Sequence, residues 1–142
     1  MEINLGKHSR LVVLISGNGS NLQAILDACI SGELPASVIS VIANKADAHG
    51  LTRASKAGVE SIYFVKLENE SRRDYDTRLA DQVTTKLPDY VILAGWMRLL
   101  TSAFLDHFPN RVVNLHPALP YTFPGTHAIE RAYNAFQRGE IK

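Results

Sequence analysis

The sequence predicts a doubly wound α/β fold with a parallel sheet of about five strands and flanking helices. Three observations carry this expectation. Unbroken apolar, β-branched runs recur along the chain, and a strand reads that way when both faces of its sheet are covered. Segments with helical spacing separate those runs. Glycine or polar breaks close each of them. Strands alternating with helices in this way build parallel βαβ units.

Taken in order, "LVVLI" (11–15) is the first strand, and "SGNGSN" interrupts it. "LQAILDACISG" follows at helical spacing and stops at Gly32. "VISVIAN" (38–44) is the second strand, and "GLTRASKAG" (50–58) a short helix closed by Gly58. "SIYFV" (61–65) is the third strand. The helix at 71–87 has Ser71 as N-cap, an early Asp74, and Tyr75, Leu79, Val83 and Leu87 on one face. "YVILAG" (90–95) and "VVNLH" (112–116) are the fourth and fifth strands, and "THAIERAYNAFQ" (126–137) is a last helix. The class is therefore Rossmann-like, where ligands bind beyond the carboxyl ends of the strands, near the point where strand order reverses. Residues 1–10 read as a loose tail and 11–142 as one domain.

The chain has 142 residues, of which 46% are hydrophobic and 20% charged, with a net charge of +1. That balance gives no strong field for nucleic acid or a membrane surface. No apolar run approaches the ~20 residues needed to span a bilayer. Cys29 is the single cysteine. No disulfide can form within the chain, so a reducing, cytoplasmic setting is expected. Within "LQAILDACI", Cys29 reads as buried helix filler.

Three strand exits carry candidate chemistry. In "ISGNGSN" (15–21), Gly17 and Gly19 allow tight or positive-φ backbone, and Ser20 or Asn21 can cap the helix. Free amides at a helix N-terminus make a phosphate site. A dinucleotide is disfavoured: position 22 is Leu where a third glycine would stand, and the second strand ends in Asn44 rather than an acid. "LAGWMRLL" (93–100) is an apolar loop that can line a slot for a flat heteroaromatic ring, or simply pack as core around a solvated Arg98. "VVNLHPALPYTFPG" (112–125) places Asn114 and His116 two apart, on one side of a strand exit, before Pro117, Pro120 and Pro124. An amide and an imidazolium there can serve a carbonyl oxygen that becomes negative, as oxyanion donor and general acid. No nucleophile elbow is evident. His107, His116 and His127 are too scattered for a metal site, so no metal is expected.

Taken together, "VVLISGNGSNLQAILDA", "NKADAHGL.RA..AG", "LAGWMRLL" and "NLHPALP..FPGTHAIERA" resemble the phosphoribosylglycinamide formyltransferase family, from about Leu11 to the last residue. The resemblance implies formyl transfer from 10-formyltetrahydrofolate, as co-substrate, to the amine of glycinamide ribonucleotide in purine biosynthesis. It implies that Gly19, Ser20 and Asn21 bind the nucleotide phosphate. Arg72 would meet the folate's glutamate tail, and Met97, Arg98, Leu99 and Leu100 would form the pterin-side loop. Asn114 would be the formyl-binding amide and His116 the proton donor. Two departures stand out. Tyr121 occupies a position where Gly or a lysine-like residue is expected. The chain stops at Lys142, whereas the family continues with further strands and an aspartate that supports the histidine. Neither Asp106 nor Glu130 replaces that aspartate by motif. The expectation is a chain of little or no activity that is either marginally stable or self-associates through an exposed sheet edge. The alternatives are a phosphate- and folate-binding module without turnover, or another enzyme using 10-formyltetrahydrofolate.

Overall fold

A computed structural model describes residues 8–115. Along the chain run β1 (Ser9–Ile15), α1 (Ser20–Ser31), β2 (Ala36–Ala43), α2 (His49–Lys56), β3 (Glu60–Tyr63), α3 (Arg72–Thr84), β4 (Tyr90–Ala94), α4 (Ser102–Leu105) and β5 (Val112–Leu115). The strands form one sheet in the order β3-β2-β1-β4-β5, parallel in every pair. The chain steps outward from β1 to β3, returns across it, and continues through β4 to β5. Strand order therefore reverses between β1 and β4.

Period-two alternation in β1 divides the core into two layers. Leu11, Val13 and Ile15 pack with Leu22, Ile25 and Leu26 of α1. Val12 and Leu14 pack with Tyr75, Leu79 and Val83 of α3 and with Phe104 of α4. Both faces of β1 are covered, which is why its sequence is apolar without a break.

Several boundaries differ from the sequence reading. β1 begins at Ser9, which pairs with Ala36. Arg10, expected in the tail, is held by the loop that follows α3. Its N–H donates to Asp89 Oδ2 at 2.7 Å, and its guanidinium donates to Leu87 O at 3.0 Å and Lys86 O at 2.8 Å. Leu87 does not extend the buried face of α3. It has left the helix with φ 52° and is 72% exposed, because Pro88 cannot continue a helix. The single turn α4 was not expected, being too short to show a period. The helix expected at 126–137 lies outside the described residues.

Ser71 caps α3 as expected, its hydroxyl accepting from Asp74 N at 3.0 Å. Cys29 packs against the α1-side core, and burial pushes its thiol up to about 11.

Candidate functional site

The crevice at the β1–β4 reversal is organised by Ser16. Its N–H donates to Gly95 O at 3.1 Å, and its buried hydroxyl accepts from Met97 N at 2.8 Å. These bonds join the exits of β1 and β4. From that seam one loop turns into α1, on one face of the sheet, and the other runs toward α4 on the opposite face.

On the α1 side, Gly19 is the N-cap, in the left-handed region at φ 80°, and no side chain of the described residues caps it. The expected capping by Ser20 or Asn21 is therefore corrected: Ser20 is the first helical residue, and the glycine makes the entry by backbone conformation alone. The first-turn amides of Ser20, Asn21 and Leu22 have no partner within the helix. The first turn also carries no acidic residue, so nothing there offsets the positive end of the helix dipole. A Cβ on Gly19 would come within 2.7 Å of Gly50 Cα. The loop thus lies backbone-to-backbone against the start of α2.

On the other side, the segment 96–100 sorts its side chains by direction. Trp96 is buried, while Met97 and Leu99 are 70% and 77% exposed. Leu100 packs against the α3-side core. Arg98 is not a freely solvated charge: its guanidinium carbon lies over the Tyr75 ring, 4.3 Å from the centroid. Burial holds the Tyr75 phenol up at about 12, and its hydroxyl donates to Phe64 O at 3.0 Å. The loop ends at Thr101, whose N–H and hydroxyl both donate to the fully buried Asp76, at 2.6 and 2.8 Å. Met97 and Leu99 thus offer apolar surface on a backbone tied at both ends. Trp96 Nε1 and Arg98 Nε are buried without a hydrogen-bond partner among the described residues. Such a surface suits a flat ring whose edge is read by backbone groups.

Arg72 is exposed at the first position of α3. Its neighbour Arg73 donates to Ser102 Oγ at 3.1 Å, which places the start of α3 beside the end of the 96–101 loop. Asn114 lies opposite Leu93 of β4. It is exposed, although it stands in an apolar run of the kind that marks a strand covered on both faces. Val113 and Leu115, on either side of it, are buried in the α1-side layer. Alternation therefore turns Asn114 to the α3 side, the face of the 96–100 loop. His116, Tyr121, Glu130 and the prolines from Pro117 on lie outside the described residues. Asp106 ends the α4 turn and is exposed.

The structure thus brings the 16–21 loop, the 96–101 loop and Asn114 to one end of the sheet. Arg53 and Asp76 were not singled out from the sequence, Ser16 stood there only as part of the 15–21 break, and Tyr75 only as part of the apolar face of the 71–87 helix. Among the described residues no group of three His, Cys, Asp or Glu side chains could hold a metal ion. No described helix is long and apolar enough to cross a membrane.

A sequence model of the formyl transferase family matches residues 9–140. The phosphoribosylglycinamide formyltransferase of Escherichia coli (strain K12) is 46% identical over 122 residues, covering 86% of this chain and 58% of that protein. The corresponding protein of Schizosaccharomyces pombe is 44% identical over 143 residues, covering 92% of this chain and 69% of its own length. Among solved structures, glycinamide ribonucleotide transformylase 1 from Symbiobacterium toebii superimposes with a TM-score of 0.76 at 44% identity, over 93% of this chain and 61% of that one. The chain spans about three fifths of the length of the bacterial relatives it matches.

Proposed function

The chain belongs to the formyl transferase family, and from that premise we propose that it transfers a formyl group from 10-formyltetrahydrofolate to the amine of glycinamide ribonucleotide. One observation carries the reading: the two hydrogen bonds of Ser16 hold the anion-type loop and the apolar loop to one seam. Asn114 stands two strand spacings along the sheet from β1, about 10 Å. A substrate bound by its phosphate at the start of α1 would extend its amine toward that position.

In this reading Gly19, Ser20 and Asn21 take the phosphate. Met97, Leu99 and the backbone around Arg98 and Leu100 form the pterin slot, and Arg72 meets the glutamate tail. The amine nitrogen attacks the formyl carbon, a C–N bond forms, and the carbonyl electrons move onto oxygen. The Asn114 amide and the His116 imidazolium stabilise that oxyanion. The bond from the formyl carbon to N10 then breaks. The amine loses one proton, N10 gains one by way of His116, and tetrahydrofolate leaves.

The cytoplasm is the expected location, in keeping with the lone Cys29 thiol. Among the described residues β5 has β4 on one side and no strand on the other, and we expect copies to pair along that edge.

Titration with glycinamide ribonucleotide, followed by a steady-state formyl-transfer assay, tests the function. Saturable, phosphate-dependent binding and at least slow transfer to the ribonucleotide amine are expected. Binding without turnover would reduce the protein to a binding module. Lack of phosphate-dependent binding at millimolar ligand would overturn the reading.

A further inference from the structure

Both carbonyls at the centre of the 16–19 loop point to α2. Gly17 O accepts from Gly50 N at 3.1 Å, and Asn18 O accepts from Arg53 Nε at 2.8 Å. Arg53 also donates through Nη2 to Asn18 Oδ1 and through Nη1 to Gln23 Oε1, each at 3.2 Å. One guanidinium therefore grips the loop and the first turn of α1 together. Among the described residues it forms no ion pair with a carboxylate, so its charge is not neutralised locally.

A trans peptide points its N–H opposite to its C=O. Turning the Gly17 and Asn18 carbonyls toward α2 therefore turns the Asn18 and Gly19 amides away from it. α2 packs over β2 and β3, and β4 and β5 lie on the other side of β1. Away from α2 is thus toward the crevice. Those two amides add to the free amides of the α1 first turn.

We propose that Arg53 is a positioning residue for the phosphate site, its fork holding the Asn18 carbonyl so that the Gly19 amide faces the anion. This rests on the phosphate-binding role assigned above to the same loop. The geometry uses the fork and not just the charge, so lysine is a poor substitute.

The test uses the full protein with Arg53→Met and Arg53→Lys. Affinities are measured for glycinamide ribonucleotide, for its dephosphorylated riboside and for inorganic phosphate, and KM and kcat are measured beside them. Arg53→Met should weaken the ribonucleotide by about 10- to 100-fold, the worth of a charge-assisted hydrogen bond. Its KM should rise while kcat, riboside affinity and folate affinity stay level. Arg53→Lys should recover little. Equal loss of ribonucleotide and riboside, or no loss at all, would overturn the proposal, and so would full recovery with lysine. If the wild type binds inorganic phosphate but not the ribonucleotide, the substrate reading fails. The Arg53 proposal is then decided by the variants' phosphate affinity. If it binds neither, both fall.

Discussion

The fully buried carboxylate of Asp76, in the middle of α3, accepts two hydrogen bonds from Thr101, one from its N–H at 2.6 Å and one from its hydroxyl at 2.8 Å. Thr101 Oγ1 in turn accepts from Ala103 N at 3.3 Å, capping α4. One acid thus holds the far end of the 96–100 loop, while Ser16 holds its near end. Asp76→Ala should leave the Thr101 donors without that partner and cost about 2 kcal/mol. Urea denaturation with an unchanged slope would show this. Folate KM should rise with it, since the loop loses one of its two ties. An unchanged midpoint would remove Asp76 from the frame of the loop.

Gly19→Val should lower ribonucleotide affinity at least about tenfold, since a β-branched residue at φ 80° is strained and its Cβ would strike Gly50 Cα at 2.7 Å. Folate binding should persist. Gly17→Ala is the control, because a Cβ there meets nothing within 4 Å. Calorimetric titration of both variants with both ligands reads the difference. Loss of both ligands in Gly19→Val would mean general damage to the fold.

Asn114→Ala, in a protein that turns over, should lower kcat by about 10²–10³-fold, as expected for the loss of one oxyanion donor. The side chain is exposed, so the melting temperature should hardly move. His116→Asn should cost on the order of 10²–10⁴-fold and abolish the need for an acid form near neutral pH. A variant at Asn114 with full kcat would remove that residue from the mechanism.

Acid should weaken the tie in front of α3. Hydrogen bonds from Arg78, and then from Leu67 N–H, hold the Glu70 carboxyl at about 2, below its ordinary 4.5. A depressed carboxylate stabilises the fold above its unfolded pKa and loses that contribution as pH falls through the folded one. The stability gap between wild type and Glu70→Gln should therefore be constant above about pH 5. It should close between about 4.5 and 2. Thermal melts of both proteins across that range check it, and a gap independent of pH would show that the pair contributes nothing.

Cys29 should react slowly with thiol reagents. Burial raises its pKa from 9.0 to about 11, which cuts the thiolate fraction near pH 8 by about 100-fold. Timed labelling with and without denaturant reads this, and fast labelling of the folded protein would contradict the packing of α1.

The sequence by itself determined the class, the succession of the five strands with α1, α2 and α3 between them, the Ser71 cap, and the strand exits where Gly19, Met97 and Asn114 stand. These follow from period, branching and glycine or proline breaks, which act over a few residues. Tertiary structure alone decided the order β3-β2-β1-β4-β5, and with it the meeting of Ser16 and Met97, 81 residues apart. It also decided that Asn114 is exposed, whereas the exit of Leu87 from α3 was already written in the Pro88 that follows it. Arg53 reads in the sequence as an ordinary charge on a short helix, and Asp76 as one acid among several. Each acquires its role from a backbone group 35 or 25 residues away, and no local pattern specifies such a partner. Packing chooses it: Asp76 is carried into the interior and must find a hydrogen bond wherever the fold provides one, and Arg53 reaches the Asn18 carbonyl because the start of α2 lies against the 16–19 loop.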